Sequence, residues 1–394
     1  MMIKQNILLF IILLLTAFNG CKAQSSDNKL ITGAMQPEAY LQLLEGKNIA
    51  LMVNHSSRLD SIHLLDFLIS KKIRIVQLFA VEHGIRGEAA NGELIDDNTD
   101  PLTGIPIISL YGNKKKASAG DLENIDLVLF DMQDVGCRFF TYLSSLHYLM
   151  EACAENDVPL LLLDRPNPNG DYINGPVLQP GITSFVGMHP IPVVHGCTLG
   201  EMAQMINGEG WLKNSIQCEL TVIPVKNYDH SQNYILPVKP SPNLPNQLSV
   251  RLYPSLCFFE AANVSIGRGT PFPFQVIAYP GNEDGDFTFT PVAIPGISMD
   301  PIFENELCRG IDLRQNETPP KFTLSYFIDF YQRYPNDQQF WKSKRWIELL
   351  SGDPNFYEQI NAGLGEEEIK AGWQNDLQKY KQLRKKYLLY PDFE

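Results

Sequence analysis

Between residues 48 and 225 the chain alternates short, unbroken apolar runs with stretches of helical periodicity. Asn48-Ile-Ala-Leu-Met-Val-Asn54 has the pattern of a buried strand, and Ile73 to Val81, Asp126 to Asp131, Val158 to Leu163 and Leu220 to Val225 repeat it. Ile191 to Val194 is a shorter run of the same kind. Between these runs, Ile62, Leu65 and Ile69 mark one apolar helical stripe, and Leu143, Leu146, Met150 and Cys153 mark another. Thr198-Leu-Gly-Glu201 predicts a capping box opening a helix with Leu199, Met202, Ala203 and Ile206 on its inner face. Strands that are apolar at every position need cover on both faces. The pattern therefore predicts an α/β fold, a doubly wound parallel sheet.

The pattern changes near residue 237. Pro237, Pro240, Pro242 and Pro245 exclude a regular helix there. Beyond them, strand-like runs (Leu256 to Phe259, Phe274 to Ala278) mix with helical stretches at Phe322 to Tyr334, Trp341 to Leu350 and Glu366 to Tyr390. This predicts a smaller α+β domain over residues 251–394, following a first domain over residues 28–250. The length, about 370 residues once a leader is set aside, suits two domains.

The leader occupies residues 1–23. Lys4 precedes an uncharged apolar run from Ile7 to Phe18, too short for a span of roughly 20 apolar residues but long enough for the core of a secretory signal peptide. Asn19-Gly20-Cys21 makes Cys21 a candidate lipidated residue, with a competing cut just before Gln24. Export follows either way, to the periplasm or outer membrane, with membrane contact only through such an anchor. Of seven cysteines, none form C-x-x-C, which argues against a zinc knuckle or a dithiol redox site. Cys153 and Cys257 have the surroundings of small buried hydrophobes. The net charge of −13 argues against nucleic-acid binding and is compatible with a small glycan.

Each apolar run of the first half ends in polar residues. The ends are Asn54-His55, Glu82-His83-Gly84, Asp131 with Gln133-Asp134, Asp164-Arg165 and His195-Gly196. In a parallel sheet these carboxyl ends share one edge, where open α/β folds bind ligands. Some are ordinary helix caps; caps do not call for Arg and His as well. The chain has no G-x-S-x-G elbow, no G-x-G-x-x-G and no Walker A loop. No H-E-x-x-H helix is present either, and no spacing selects a metal geometry. Neither cofactor nor metal is expected. Carboxylates flanked by Arg and His suit acid-catalysed cleavage of a glycosidic bond. Glu82 is the best candidate acid, because it directly follows an apolar strand and partial burial raises a carboxyl pKa. Its bland alternative is a salt bridge to Arg86 or Arg58.

Several motifs occur in order: Asn54-His55, Val81-Glu-His-Gly-Ile-Arg-Gly87, Ser109-Leu-Tyr-Gly112, Phe130-Asp-Met-Gln-Asp-Val-Gly136 and Arg138-Phe-Phe-Thr-Tyr142. Leu163-Asp-Arg-Pro-Asn-Pro168, Asn174-Gly-Pro-Val177, His195-Gly-Cys-Thr-Leu-Gly-Glu201, Ser241-Pro-Asn-Leu-Pro245 and Gly267-Arg-Gly-Thr270 follow. Together they resemble the NamZ-type exo-β-N-acetylmuramidase family of bacterial envelope proteins, from about residue 30 to the C-terminus. The resemblance implies a Rossmann-like first domain, a smaller second domain and a cleft between them. It also implies release of N-acetylmuramic acid from the non-reducing end of short, peptide-free peptidoglycan saccharides, with Glu82 catalytic. Cys137 and Cys197 stand where Ala and Met are expected in such motifs, so neither is expected as a nucleophile. Ile266 stands where relatives carry Glu.

On this basis Glu82 protonates the glycosidic oxygen and His83 holds its neighbourhood. Either Asp131 or Asp134 is the second carboxyl, as base for water or as orienter of the acetamido group. Arg138, Arg165 and Arg268 are candidates for the lactyl carboxylate, and equally for structural ion pairs. Tyr111 and Tyr142 are candidate stacking rings or core. Asn54, His55, Arg86, Asp164 and His195 complete the candidate sugar contacts. The rivals are an envelope lipoprotein that binds muropeptide sugars without cutting them, and a metal-dependent amidase or deacetylase.

Overall fold

The computed structural model describes residues 29–82, 84–87, 98–315 and 321–394. The leader with Cys21, and His83, lie outside them. The strands, in chain order, are β1 (Ile49–Val53), β2 (Arg58–Leu59), β3 (Ile62–His63), β4 (Ile75–Ala80), β5 (Asn98–Thr99) and β6 (Pro106–Ser109). They continue as β7 (Leu127–Asp131), β8 (Leu160–Leu163), β9 (Leu220–Ile223), β10 (Val276–Pro280), β11 (Phe287–Phe289) and β12 (Cys308–Asp312). The helices are α1 (Pro37–Leu44), α2 (Leu64–Ser70), α3 (Tyr142–Glu155), α4 (Leu199–Gly208) and α5 (Gln247–Leu256). Then come α6 (Ser325–Arg333), α7 (Asp337–Phe340), α8 (Lys344–Ser351), α9 (Phe356–Asn361) and α10 (Glu366–Arg384).

The main sheet has the order β5-β6-β4-β1-β7-β8-β9, parallel throughout except for β5 against β6. The chain moves outward from β1 through β4 to β6, then restarts beside β1 with β7 and moves the other way. The switch point, where such folds bind ligands, is between β1 and β7. Alternate residues of the strands feed two cores. Ala50, Met52, Val128, Phe130, Leu160 and Leu162 point to one face, and Leu51, Val53, Leu127, Leu129, Leu161 and Leu163 to the other. Tyr40 and Leu44 of α1 with Leu64, Leu65 and Leu68 of α2 cover the second face.

The first face is covered by α3, and its core runs without a break into the second half of the chain. There Phe258, Phe259, Phe327, Phe340 and Phe356 meet edge to face or tilted, with ring centroids 5.0–6.3 Å apart. This second part is α+β, with an antiparallel sheet β10-β12-β11 beside helices α5 to α10.

Two expected strands are absent as such. Ile191 to Val194 forms only isolated bridges, from Val194 to Cys137 and to Asn174. Pro192 lies inside that run and has no N–H to give a ladder. Leu256 to Phe259 ends α5 and continues as a 3-10 turn over Cys257–Ala261. Its residues are buried all round, and an apolar run of that kind carries no periodicity to separate strand from helix. The six cysteines from Cys137 to Cys308 are buried, unpaired thiols. Among the described residues no helix is long and apolar enough to cross a membrane.

Candidate active site

Glu82 follows β4 by two residues, and Tyr111 follows β6 by two. Because Ala80 and Ser109 are partners in the parallel register, the two side chains emerge level with each other. A turn closed by the Gly84 N–H on the Val81 carbonyl (2.9 Å), with Gly84 at φ 71°, carries Glu82 over the sheet edge. The Tyr111 hydroxyl donates to Oε1 of Glu82 at 3.0 Å. Thr141, at the start of α3, donates to Oε2 at 3.3 Å. Burial, with the neighbouring Glu82 charge, pushes the Tyr111 hydroxyl's pKa up and keeps it a donor.

These residues line a cleft of about 570 Å³ between the sheet edge and the second part of the chain. Phe139, Tyr253 and Arg268 also face it, and Trp346 closes the far side. It narrows inward past Glu82 to Tyr142, Asn243 and Phe274. A side pocket leaves it at Glu260, Arg268 and Trp346, and Ile266 lines that pocket, away from Glu82. Aromatic walls with a few aimed polar groups are what a saccharide site requires.

Of the expected site residues, Glu82, Tyr142 and Arg268 line this cleft. Asn54 lies beside the Tyr142 hydroxyl, and Glu82 and Asp134 both act on that hydroxyl's charge. Asp134 is buried; one oxygen accepts the Gly136 N–H at 2.6 Å, and Oδ2 has no hydrogen-bond partner among the described residues. Burial pushes its pKa up to about 7 against the pull of the Gly136 and Val135 amides.

The others are engaged elsewhere. Asp131 is fully buried, and Arg165 grips both its oxygens at 2.5 and 2.8 Å. That bidentate pair leaves neither a free base nor a free cation. Arg138 donates to the carbonyls of Pro176, Ile191, Leu350 and Ser351 at 2.6–2.9 Å, so it ties the C-terminal end of α8 to the first part of the chain. Arg86 is held by Asp100 at 2.9 and 3.1 Å, which removes the suggested bridge to Glu82. Arg58 donates to the carbonyls of His55 and Ser61. His55 contacts the Lys239 carbonyl at 2.7 Å.

Asp164 serves a helix end. It accepts from the Thr198 hydroxyl (2.6 Å) and the Gly200 N–H (2.9 Å) at the start of α4, and from the Tyr390 hydroxyl (2.5 Å). Gly200 permits this approach, since a Cβ there would meet the carboxylate at 2.7 Å. His195 is buried beneath α10, accepts the Cys197 N–H, and is held neutral by burial, its pKa about 3. Among the described residues, no three His, Cys, Asp or Glu side chains are grouped so as to hold a metal ion.

Sequence reasoning passed over Thr141, Glu260 and Lys115. Thr141 was visible inside the Arg138 to Tyr142 motif. Glu260, in the 3-10 turn over Cys257–Ala261 that begins inside the run read as a strand, pairs with Arg268 at 2.6 Å.

The same chain matches two family models: "Exo-beta-N-acetylmuramidase NamZ, N-terminal" over residues 49–248 and "Exo-beta-N-acetylmuramidase NamZ, C-terminal" over residues 251–390. It is 37% identical over 374 residues to the peptidoglycan beta-N-acetylmuramidase NamZ of Bacillus subtilis (strain 168), covering 89% of each chain. Two crystal structures of DUF1343 family proteins from Bacteroides fragilis superpose with TM-scores of 0.83 and 0.81, at 43% and 28% identity. Each covers 92% of this chain and 99% of its own.

Proposed function

The chain belongs to the NamZ family of exo-beta-N-acetylmuramidases, and from that premise we propose that it is a glycoside hydrolase releasing N-acetylmuramic acid from the non-reducing end of peptidoglycan fragments. The observation that carries this reading is Glu82, placed at the narrowing of an aromatic cleft and held by Tyr111 and Thr141. A protonated Glu82 donates to the glycosidic oxygen as the bond to C1 breaks, and water adds at C1, so that one water is consumed per bond. Tyr111 and Thr141 fix which way the carboxyl faces. Asp134 is the second carboxyl of the site. It is buried rather than part of the cleft wall, and it reaches the Tyr142 hydroxyl by its charge alone, with no hydrogen bond between them among the described residues. Beyond Glu82 the cleft narrows against Tyr142, Asn243 and Phe274, so a saccharide chain ends at Glu82 instead of threading past it, which is the shape exo cleavage needs.

The leader adds a location. The protein is exported and held in the envelope through a lipid on Cys21, where peptidoglycan fragments are released during wall turnover.

The test is hydrolysis of the N-acetylmuramyl–N-acetylglucosamine disaccharide by the mature protein and by Glu82→Gln. The expected result is turnover lowered about 10²–10⁴-fold in the variant with binding retained. A wild-type protein that binds the disaccharide and never cleaves it would instead be a capture protein. Full activity in Glu82→Gln would move the acid to another residue.

A further inference from the structure

Three consecutive lysines lie between β6 and β7, and they are used differently. Lys114 pairs with Asp121 at 2.8 Å; Lys116 pairs with Glu151 at 2.7 Å and Glu155 at 2.8 Å. Lys115 turns the other way. It lines the cleft with Glu82 and Tyr111, its ammonium 4.5 Å from the centre of the Phe185 ring. Among the described residues no carboxylate lies within ion-pair distance of it.

Arg268, the other cation in the same cleft, is already neutralised by Glu260. Arg138 and Arg165 are spent on carbonyls and on Asp131. Among the described residues, Lys115 is thus the cation whose charge is left unmatched in the wide part of the cleft. The aromatic face beneath it holds the ammonium in place without cancelling its charge. Phe185 is itself stacked on Tyr148, with centroids 6.2 Å apart and planes at 14°. A net charge of −13 makes an unpaired lysine here an exception to the surrounding field.

N-acetylmuramic acid is N-acetylglucosamine with a lactyl ether, and the added carboxylate is its one anionic group. We infer that Lys115 binds this lactyl carboxylate and is the residue that separates the muramyl sugar from its neutral parent. The inference rests on the muramidase reading above, and its test is built so that either can fail alone.

Binding of free N-acetylmuramic acid and free N-acetylglucosamine is measured by calorimetry on the whole mature protein, as wild type, Lys115→Gln and Lys115→Arg. Wild type is expected to prefer the muramyl sugar. Lys115→Gln should weaken that sugar by about ten-fold and leave N-acetylglucosamine unchanged, as loss of one charge-assisted contact does. Lys115→Arg should recover most of the loss. Added salt should weaken muramyl binding in wild type and not in Lys115→Gln. Unchanged muramyl affinity in Lys115→Gln overturns the inference, and so does an equal loss for both sugars, the mark of a purely structural role. A wild-type protein that prefers the muramyl sugar yet hydrolyses no muraminide sinks the enzyme reading while the Lys115 comparison still stands.

Discussion

Asp134 and Asp131 are three residues apart and meet opposite fates. Asp131 ends β7 pointing at Arg165, which satisfies it; Asp134 lies on the following turn with one oxygen capped by Gly136 and the other left over. Burial holds the Asp134 carboxyl at about 7, above its unfolded value. A carboxyl with a raised folded pKa contributes most below its unfolded pKa, and that contribution is lost as pH rises through the folded value. Asp134→Asn keeps the oxygen that accepts Gly136 and cannot ionise. The Asn variant is therefore expected to gain stability relative to wild type as pH rises from 5 to 7, by up to roughly 1.4 kcal/mol per pH unit. Melting curves at pH 5 and pH 7 check this. A gap of equal size at both would mean that Asp134 does not titrate in this range.

At the scale of elements, α4 is organised around Asp164. The Thr198 and Glu201 capping box and the Asp164 carboxylate together satisfy the first turn, and Tyr390 reaches back from beyond α10 to the same carboxylate. Tyr390 also accepts the Val225 N–H at 3.0 Å. Burial raises Asp164 to about 6, with Thr198, Tyr390 and Gly200 pulling it down. Tyr390→Phe removes one donor from a buried carboxylate, which costs about 2 kcal/mol. The loss should be smallest below pH 5 and grow as pH rises through 6, because only the ionised carboxylate needs the donor. Denaturant unfolding at pH 5 and pH 8 measures it. The capping box was legible from residues 198–201 alone, and so were β1, β4, β7, β8 and β9, because period and apolar content agree there; β6, a four-residue run opened by Pro106, was not. Pro192 and the all-round burial of residues 256–259 defeated pattern reading, since each breaks the link between apolarity and periodicity.

For the molecule as a whole, the sheet edge that should collect the chemistry is real, but only part of it is wall. The chain ends of β4 and β6 face the cleft, whereas Asp131 and Asp134 after β7 are buried, and Asp164 and His195 lie where α4 and α10 cover the edge. Glu82 could be picked out because one strand register sets it. That none of the three candidate arginines stays free could not, because the partners Asp131, Glu260 and the α8 carbonyls are not marked by any sequence pattern. Location is tested at this scale too. Cys21→Ser should abolish incorporation of labelled fatty acid and shift the protein from the membrane fraction to the soluble one. Unchanged fractionation with no label in wild type would mean cleavage before Gln24 and soluble export.

The chain crosses into its second part through α5 and returns along α10. The return is fastened: Tyr380 donates to the His195 carbonyl at 2.7 Å, Arg384 to the Gly196 carbonyl at 2.6 and 3.0 Å, and Tyr390 to Asp164. Two crossings tied at both ends do not behave as a single hinge, so the walls of the cleft form a mould already set rather than a jaw that shuts. Its cost in ordering was met during folding, and a sugar entering it is sorted by static fit at the mouth, one chain end at a time.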